Sequence, residues 1–145
     1  MTELLLLRHG KSDWSAGTDD FHRPLKSRGK RGAPRSGAWL WLQALVRVHS
    51  FSSPATRARE TAIKAAKSMG LGVADVQQDK RLYLPTTDEL LEVLHGCPAS
   101  AQRIMLVGHN PSLEDLLTRL ASDAIVIPDD GKLLPTATVA RLELD

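Results

Sequence analysis

Strands and helices alternate along this chain, which predicts an α/β fold of three layers (helix, sheet, helix). We expect a mainly parallel central sheet with one antiparallel edge strand. Three observations carry the expectation. Leu4, Leu5, Leu6 and Leu7 form an unbroken apolar run, as do Ile104, Met105, Leu106 and Val107, and such runs mark strands covered on both faces. Between them lie segments with apolar residues at helical spacing. The last segment, residues 138–144, alternates Val139, Arg141 and Glu143 against Ala140, Leu142 and Leu144, a period of two that suits a sheet edge with one wetter face.

In order, the first strand ends at Arg8-His9-Gly10. Ser27 can cap a helix running to Val46, with Leu40, Trp41 and Leu45 on its apolar face. Pro34 inside it leaves two options: a start near Ala33, or a start at Arg28 with a kink. Further strands are expected over residues 48–52 and 73–77. Ser53-Pro54 reads as a cap followed by proline at the first helical position, opening a helix that closes at Gly70. Thr87-Asp88 opens a short helix through Leu90, Leu91 and Leu94. Asn110-Pro111 opens another with Leu113, Leu116, Leu117 and Leu120 inward. Residues 123–135 form the one long irregular loop. Residues 1–145 are expected to make a single domain.

Composition excludes several classes. At 145 residues and 42% hydrophobic the chain can build a core without staples. With 25% charged residues it is no disordered tail, and 19 Lys and Arg against 17 Asp and Glu leave a net +2, too little for a protein that coats nucleic acid. The longest apolar run is too short to span a membrane, and Arg8-His9 interrupts any secretory signal. The single cysteine, Cys97, cannot form an internal disulfide, which fits a reducing cytoplasm. A cytoplasmic monomer without membrane or nucleic-acid partners is expected.

In parallel sheets ligands gather where strands end and helices begin, and three such junctions carry unusual chemistry. Arg8-His9-Gly10 offers a planar fork for phosphate, a nitrogen nucleophile or base, and a residue that lets a ligand approach the backbone. Arg57 falls in the first turn of its helix, where a cation is disfavoured unless an anion sits nearby. His109, in Val107-Gly108-His109-Asn110-Pro111, occupies a third junction, where a lone histidine is as often a structural residue. Together, two arginines and two histidines make a pocket suited to a phosphoryl group.

These segments, in this order, resemble the histidine phosphatase superfamily, of phosphoglycerate-mutase-like fold, and most closely its small SixA-type phosphohistidine phosphatases. The residues carrying the resemblance are Leu7-Arg8-His9-Gly10-Lys11-Ser12, Asp20-Phe21-His22-Arg23-Pro24-Leu25 with Gly29, Ser53-Pro54-x-x-Arg57-Ala58-x-x-Thr61, and Val107-Gly108-His109-Asn110-Pro111. The resemblance implies that His9 accepts the phosphoryl group while Arg8, Arg57 and His109 bind its oxygens, with Arg23, Gly10 and Asp20 as substrate-binding positions. It also implies a metal-independent hydrolase with no cofactor, acting on a phosphohistidine protein or a small phosphorylated molecule. Larger members carry a glutamate general acid on an insertion between the second arginine and second histidine motifs. Here that interval is short, leaving Asp20, Asp88 and Glu89 as candidate acids. We expect no strong acid, and hence a P–N bond as the target, because an imidazole leaves more readily than an alcohol.

Rival readings are weaker. His9, His22, His49, His95 and His109 show no i, i+4 pair and no cysteine pairs, so no metal site is expected. Arg23, Lys26, Arg28, Lys30, Arg31 and Arg35 could grip a phosphate backbone or an acidic protein, but a solvated helix face is the simpler account.

Overall fold

The computed structural model describes residues 2–45, 47–121 and 129–144. Five strands, β1 (Thr2–Arg8), β2 (His49–Ser52), β3 (Val76–Gln78), β4 (Arg103–Gly108) and β5 (Val139–Leu144), form one sheet in the order β3-β2-β4-β1-β5. β1 pairs in parallel with β4, and β2 with both β4 and β3. β5 runs antiparallel to β1 at the edge. The expected fold class is the one observed.

Alternation along β1 explains the three layers. Leu5 and Leu7 point to one face, where they meet Leu40 of α1 (Ser27–Leu42), Ala62 and Ala65 of α2 (Thr56–Ser68), and Met69, which caps α2. Leu4 and Leu6 point to the other, against Leu90 and Val93 of α3 (Thr87–His95) and Leu113, Leu116 and Leu117 of α4 (Ser112–Ala121). A strand buried on both faces has no reason to alternate with polar residues, hence the four leucines. Each fully buried leucine contributes about 1.5–3 kcal/mol. α1 and α2 cross closely: a Cβ at Gly37 would fall 2.2 Å from the Ala65 carbonyl oxygen, so only glycine fits.

Several boundaries differ from the sequence-based expectation, each for a local reason. Residues 73–75 form a 3₁₀ turn rather than a strand. The Gly72 N–H donates to Asp75 Oδ2, and Asp75 N–H donates back to the Gly72 carbonyl, so pairing with β2 begins only at Val76. α1 runs unbroken from Ser27 with Pro34 inside it; Ser27 is its first helical residue rather than its cap, the cap position falls on Lys26, and no side chain closes it. It stops at Leu42 because Ala44 turns left-handed (φ 57°) and the Leu45 N–H reaches back to the Leu40 carbonyl, the six-to-one bond of a Schellman motif. The expected endpoint, Val46, lies outside the described residues, as do residues 122–128 of the expected long loop. α2 closes as anticipated, with Gly70 at φ 79°. It starts two residues later than Pro54, at Thr56, with no side-chain cap. Ser53 is used elsewhere. α3 is capped by Thr86, whose Oγ1 accepts the Glu89 N–H while Glu89 Oε1 accepts the Thr86 N–H.

Candidate active site

The carboxyl ends of β1, β2 and β4 lie side by side, and the residues that follow them converge. His9, Arg57 and His109 are only 7%, 5% and 5% exposed. Buried ionisable groups are rare unless something holds them, so each needs a partner accounted for.

His9 donates from Nδ1 to the Gly10 carbonyl at 2.7 Å. That bond assigns the ring proton to Nδ1 and leaves a lone pair on Nε2. Burial, and then the charges of Arg57, Arg8 and Arg23, lower the His9 pKa to about 4, with the Gly10 carbonyl acting in the other direction. His109 is lowered to about 3, first by burial, then by His9 and Arg57. Both rings are therefore neutral at pH 7. They lie 5.2 Å apart between centroids.

The two glycines near His9 serve packing. The Gly10 N–H donates to Thr61 Oγ1, whose hydroxyl donates to the Arg57 carbonyl. A Cβ on Gly10 would come within 2.9 Å of the Gly29 carbonyl oxygen, and one on Gly29 within 2.1 Å of the Lys11 carbonyl oxygen. Gly10 was expected to admit ligand to the backbone. Instead its carbonyl sets the His9 tautomer and its N–H is spent on Thr61, which ties the Arg8-His9-Gly10 motif to the Ser53–Thr61 motif.

Asp20 is the carboxylate of the site. Its Oδ1 accepts from Arg23 Nη1 at 2.8 Å, and its Oδ2 from Arg57 Nη2 at 3.1 Å and from the Tyr83 hydroxyl at 2.6 Å. Tyr83 above all, then Arg57 and Arg23, holds its pKa down to about 2. An anion so strongly held donates no proton near neutrality. Glu89 is committed to the α3 cap, and Asp88 sits in the exposed first turn of that helix. Neither joins the cluster.

Arg8 Nη1 donates to the Leu134 carbonyl, and that carbonyl also accepts from Asn110 Nδ2, while Glu114 accepts the Leu134 N–H. Arg8 Nε, Arg57 Nε, His109 Nδ1 and Asn110 Oδ1 are buried with no protein partner. Unmet buried donors are costly unless a ligand meets them. A ligand with several acceptor oxygens and net negative charge suits the guanidinium groups of Arg8, Arg23 and Arg57, which Asp20 and, on the Arg8 side, Glu114 only partly offset.

Sequence reasoning missed two residues here. Ser53 Oγ lies 2.8 Å from His109 Nε2. Because it already accepts the Ala55 N–H, its hydroxyl can donate to Nε2 and leave the His109 proton on Nδ1, the unpartnered nitrogen. Tyr83 lies edge-on to His109 at 5.7 Å and to Phe21 at 5.1 Å. It follows the end of β3, so the strand-end rule would have flagged it had that strand been placed at residues 76–78. Among the described residues no group of three or more His, Cys, Asp or Glu is arranged to hold a metal ion, and no helix is long and apolar enough to cross a membrane.

The sequence profile described as "Histidine phosphatase superfamily (branch 1)" matches residues 4–83. The chain belongs to that superfamily. Among curated relatives of this histidine phosphatase, the uncharacterized protein Rv1276c of Mycobacterium tuberculosis (strain ATCC 25618 / H37Rv) is 30% identical over 142 residues, 95% of this chain and 87% of that protein. Among solved structures, the protein assigned as the SixA phosphohistidine phosphatase of Agrobacterium tumefaciens is 27% identical, with a TM-score of 0.78 over 98% of this chain and 91% of that one. The protein histidine phosphatase SixA complexed with tungstate shares the fold at a TM-score of 0.84 and 20% identity, over 99% and 89% of the two chains. The histidine phosphatase thus has a phosphoglycerate-mutase-like fold and SixA-like neighbours, which support a phosphatase.

Proposed function

We propose that this histidine phosphatase hydrolyses the P–N bond of phosphohistidine in a protein substrate, through a phosphoryl group carried on His9 Nε2 and without a divalent metal. The observation that carries the reading is the state of His9: buried, neutral, its Nδ1 proton tied to Gly10, and its Nε2 lone pair amid arginines. The phosphohistidine activity assigned to the SixA protein of A. tumefaciens supports the choice of substrate.

In the first step Nε2 attacks phosphorus in line, and the P–N bond of the substrate breaks. The substrate ring, protonated from solvent on its other nitrogen, departs as neutral imidazole and keeps the bonding pair. Its pKa of about 6.5 makes that uptake easy near neutrality. Arg8, Arg57 and the His109 N–H bind the transferring oxygens, and the two arginines supply the positive charge that magnesium gives other phosphoryl-transfer enzymes. In the second step water attacks the phosphoryl group on His9. The electron pair returns to Nε2, one water hydrogen leaves with inorganic phosphate, and the other passes to solvent.

The argument for nitrogen rather than oxygen as the leaving atom rests on Asp20. An alcohol needs a proton as it departs, and Asp20, held at a pKa of about 2 by three donors, carries none. The test compares kcat/KM for a phosphohistidine protein and an alkyl phosphate, with a chelator present, in wild type, Asp20→Asn and Glu89→Gln. The reading predicts a preference for phosphohistidine of about a hundredfold or more, the scale of general-acid catalysis that the ester forgoes, with no effect of the chelator. A better rate on the alkyl ester, lost selectively in one carboxamide variant, assigns a broad phosphomonoesterase instead.

A further inference from the structure

The outward face of α1 is not absorbed by the catalytic reading. None of its 16 residues is acidic, and no acidic residue lies in its first turn. Arg28, Arg31 and Arg35, all exposed, recur at i, i+3 and i+7 and so share one stripe. The stripe continues into Trp39 (43% exposed) and Leu42 (78% exposed), with Trp41 (57%) beside it. Three of the six exposed large hydrophobic side chains among the described residues thus stand on one helix whose other end is basic.

Two features make this more than a solvated face. Cations in the first turn oppose the helix macrodipole. Asp13 lies within electrostatic reach of Lys26 and Lys30, yet among the described residues no acidic side chain forms an ion pair with Arg28, Arg31 or Arg35. The stripe also borders a groove of about 360 Å³ lined by Gly32, Arg35, Ser36, Trp39, Ala137 and Val139. Ala137 links that groove to the reaction centre. Its N–H donates to the carbonyls of Arg8 and His9, and its own carbonyl accepts from Ser36 Oγ at 2.6 Å.

We infer that the Arg28–Arg31–Arg35–Trp39–Leu42 ridge of α1, with the groove beside it, is a docking surface for an acidic amphipathic helix of the phosphohistidine protein. Charge complementarity chooses this occupant. The basic half of the ridge steers and orients an acidic partner, while Trp39 and Leu42 give its apolar side a place to be buried. A second copy of α1, which has no acidic residue, would leave Arg28, Arg31 and Arg35 without counter-charges in either a parallel or an antiparallel pairing. The inference rests on the phosphohistidine reading, and the experiment separates the two.

The probes are free phosphohistidine and two proteins phosphorylated on histidine with phosphoramidate, one acidic and helical around the modified residue, the other basic there. The variants are Arg28→Glu/Arg31→Glu/Arg35→Glu and Trp39→Ala. At low ionic strength the triple variant should lose about tenfold or more in kcat/KM on the acidic phosphoprotein, through KM, since such steering changes encounter rates on that scale. Wild type should lose the same advantage as salt is raised, and Trp39→Ala should raise KM several-fold. Free phosphohistidine, which has no helix to dock, should be turned over equally by all three and so reports that the variants are folded. Equal rates of wild type and triple variant on the acidic phosphoprotein overturn the docking surface and leave the substrate reading standing. Tighter wild-type binding to transfer RNA or phosphatidylglycerol vesicles than to the acidic phosphoprotein also overturns it. Failure of wild type on all three phosphohistidine probes overturns both.

Discussion

The two ends of β1 and β4 carry the same residue types in opposite states of balance. At the amino end Glu3 stands opposite Arg103 in the parallel register. Its Oε1 accepts from Arg103 Nη2 at 2.7 Å and its Oε2 from Arg141 Nε at 2.6 Å. One carboxylate, with each oxygen on one guanidinium, fills a structural role, and Arg103 followed by Arg141 lowers its pKa. A cavity of about 550 Å³ lies there, lined by Glu3, Arg47, His49, Arg103 and Glu143 among others, but Glu3 already binds two of the surrounding arginines. At the carboxyl end Arg8, Arg23 and Arg57 share Asp20 unequally, Arg8 receives none of it, and two neutral histidines are buried alongside. Cavity size would point to the wrong end, and an unmet buried donor occurs at both, since Arg103 Nε also lacks a partner; two buried, neutral histidines beside the arginines are found only at the carboxyl end among the described residues.

Paired substitutions sharpen that contrast. Arg57→Ala should lower kcat/KM by about two to three powers of ten per folded molecule, the cost of a lost oxyanion donor. Its melting temperature should fall only by the loss of the Arg57 contacts to Asp20. Glu3→Gln should do the reverse, costing about 1–2 kcal/mol of stability through its charge-assisted bonds with kcat/KM unchanged. Denaturant titration beside steady-state kinetics reads both. If Glu3→Gln impairs turnover as much as Arg57→Ala does, the two ends are not functionally distinct.

The pH profile gives a smaller effect with a definite sign. A depressed histidine pKa means that the unfolded chain takes up protons first as pH falls. Stability should therefore decline from about pH 6.5 toward pH 4 for His9 and toward pH 3 for His109, with Asp20 adding to the loss between pH 3.8 and about 2. In the proposed mechanism neutral His9 attacks, so kcat/KM should hold down to an acid limb near pH 4. A limb at pH 6.5 in a still-folded protein would mean an unperturbed histidine and contradict the burial argument.

Much of this was legible in the sequence because it depends on short-range signals. Leu4 to Leu7 announce a doubly covered strand, and Arg8-His9, Arg57 and His109 each stand where a strand or its following turn meets a helix. The proposed phosphoryl pocket follows from adding these ends together. The rest depends on contacts across long sequence separations. Tyr83 on Asp20, Thr61 on Gly10 and Ser53 on His109 leave no periodic trace. Ser53-Pro54 misled for a physical reason: a hydroxyl beside a helix start reads as a cap, but this one accepts the Ala55 N–H and faces His109 instead of closing α2.

The central claim, that His9 Nε2 carries the phosphoryl group, is tested most directly by trapping it. Wild type would be mixed with a ³²P-labelled phosphohistidine protein, quenched in alkali within one turnover, digested and mapped. The account predicts label on the peptide containing His9, stable in base and lost in acid, appearing in a burst before free phosphate and absent in His9→Ala. Free phosphate released at the wild-type rate by His9→Ala, with no labelled peptide at any time, would contradict it.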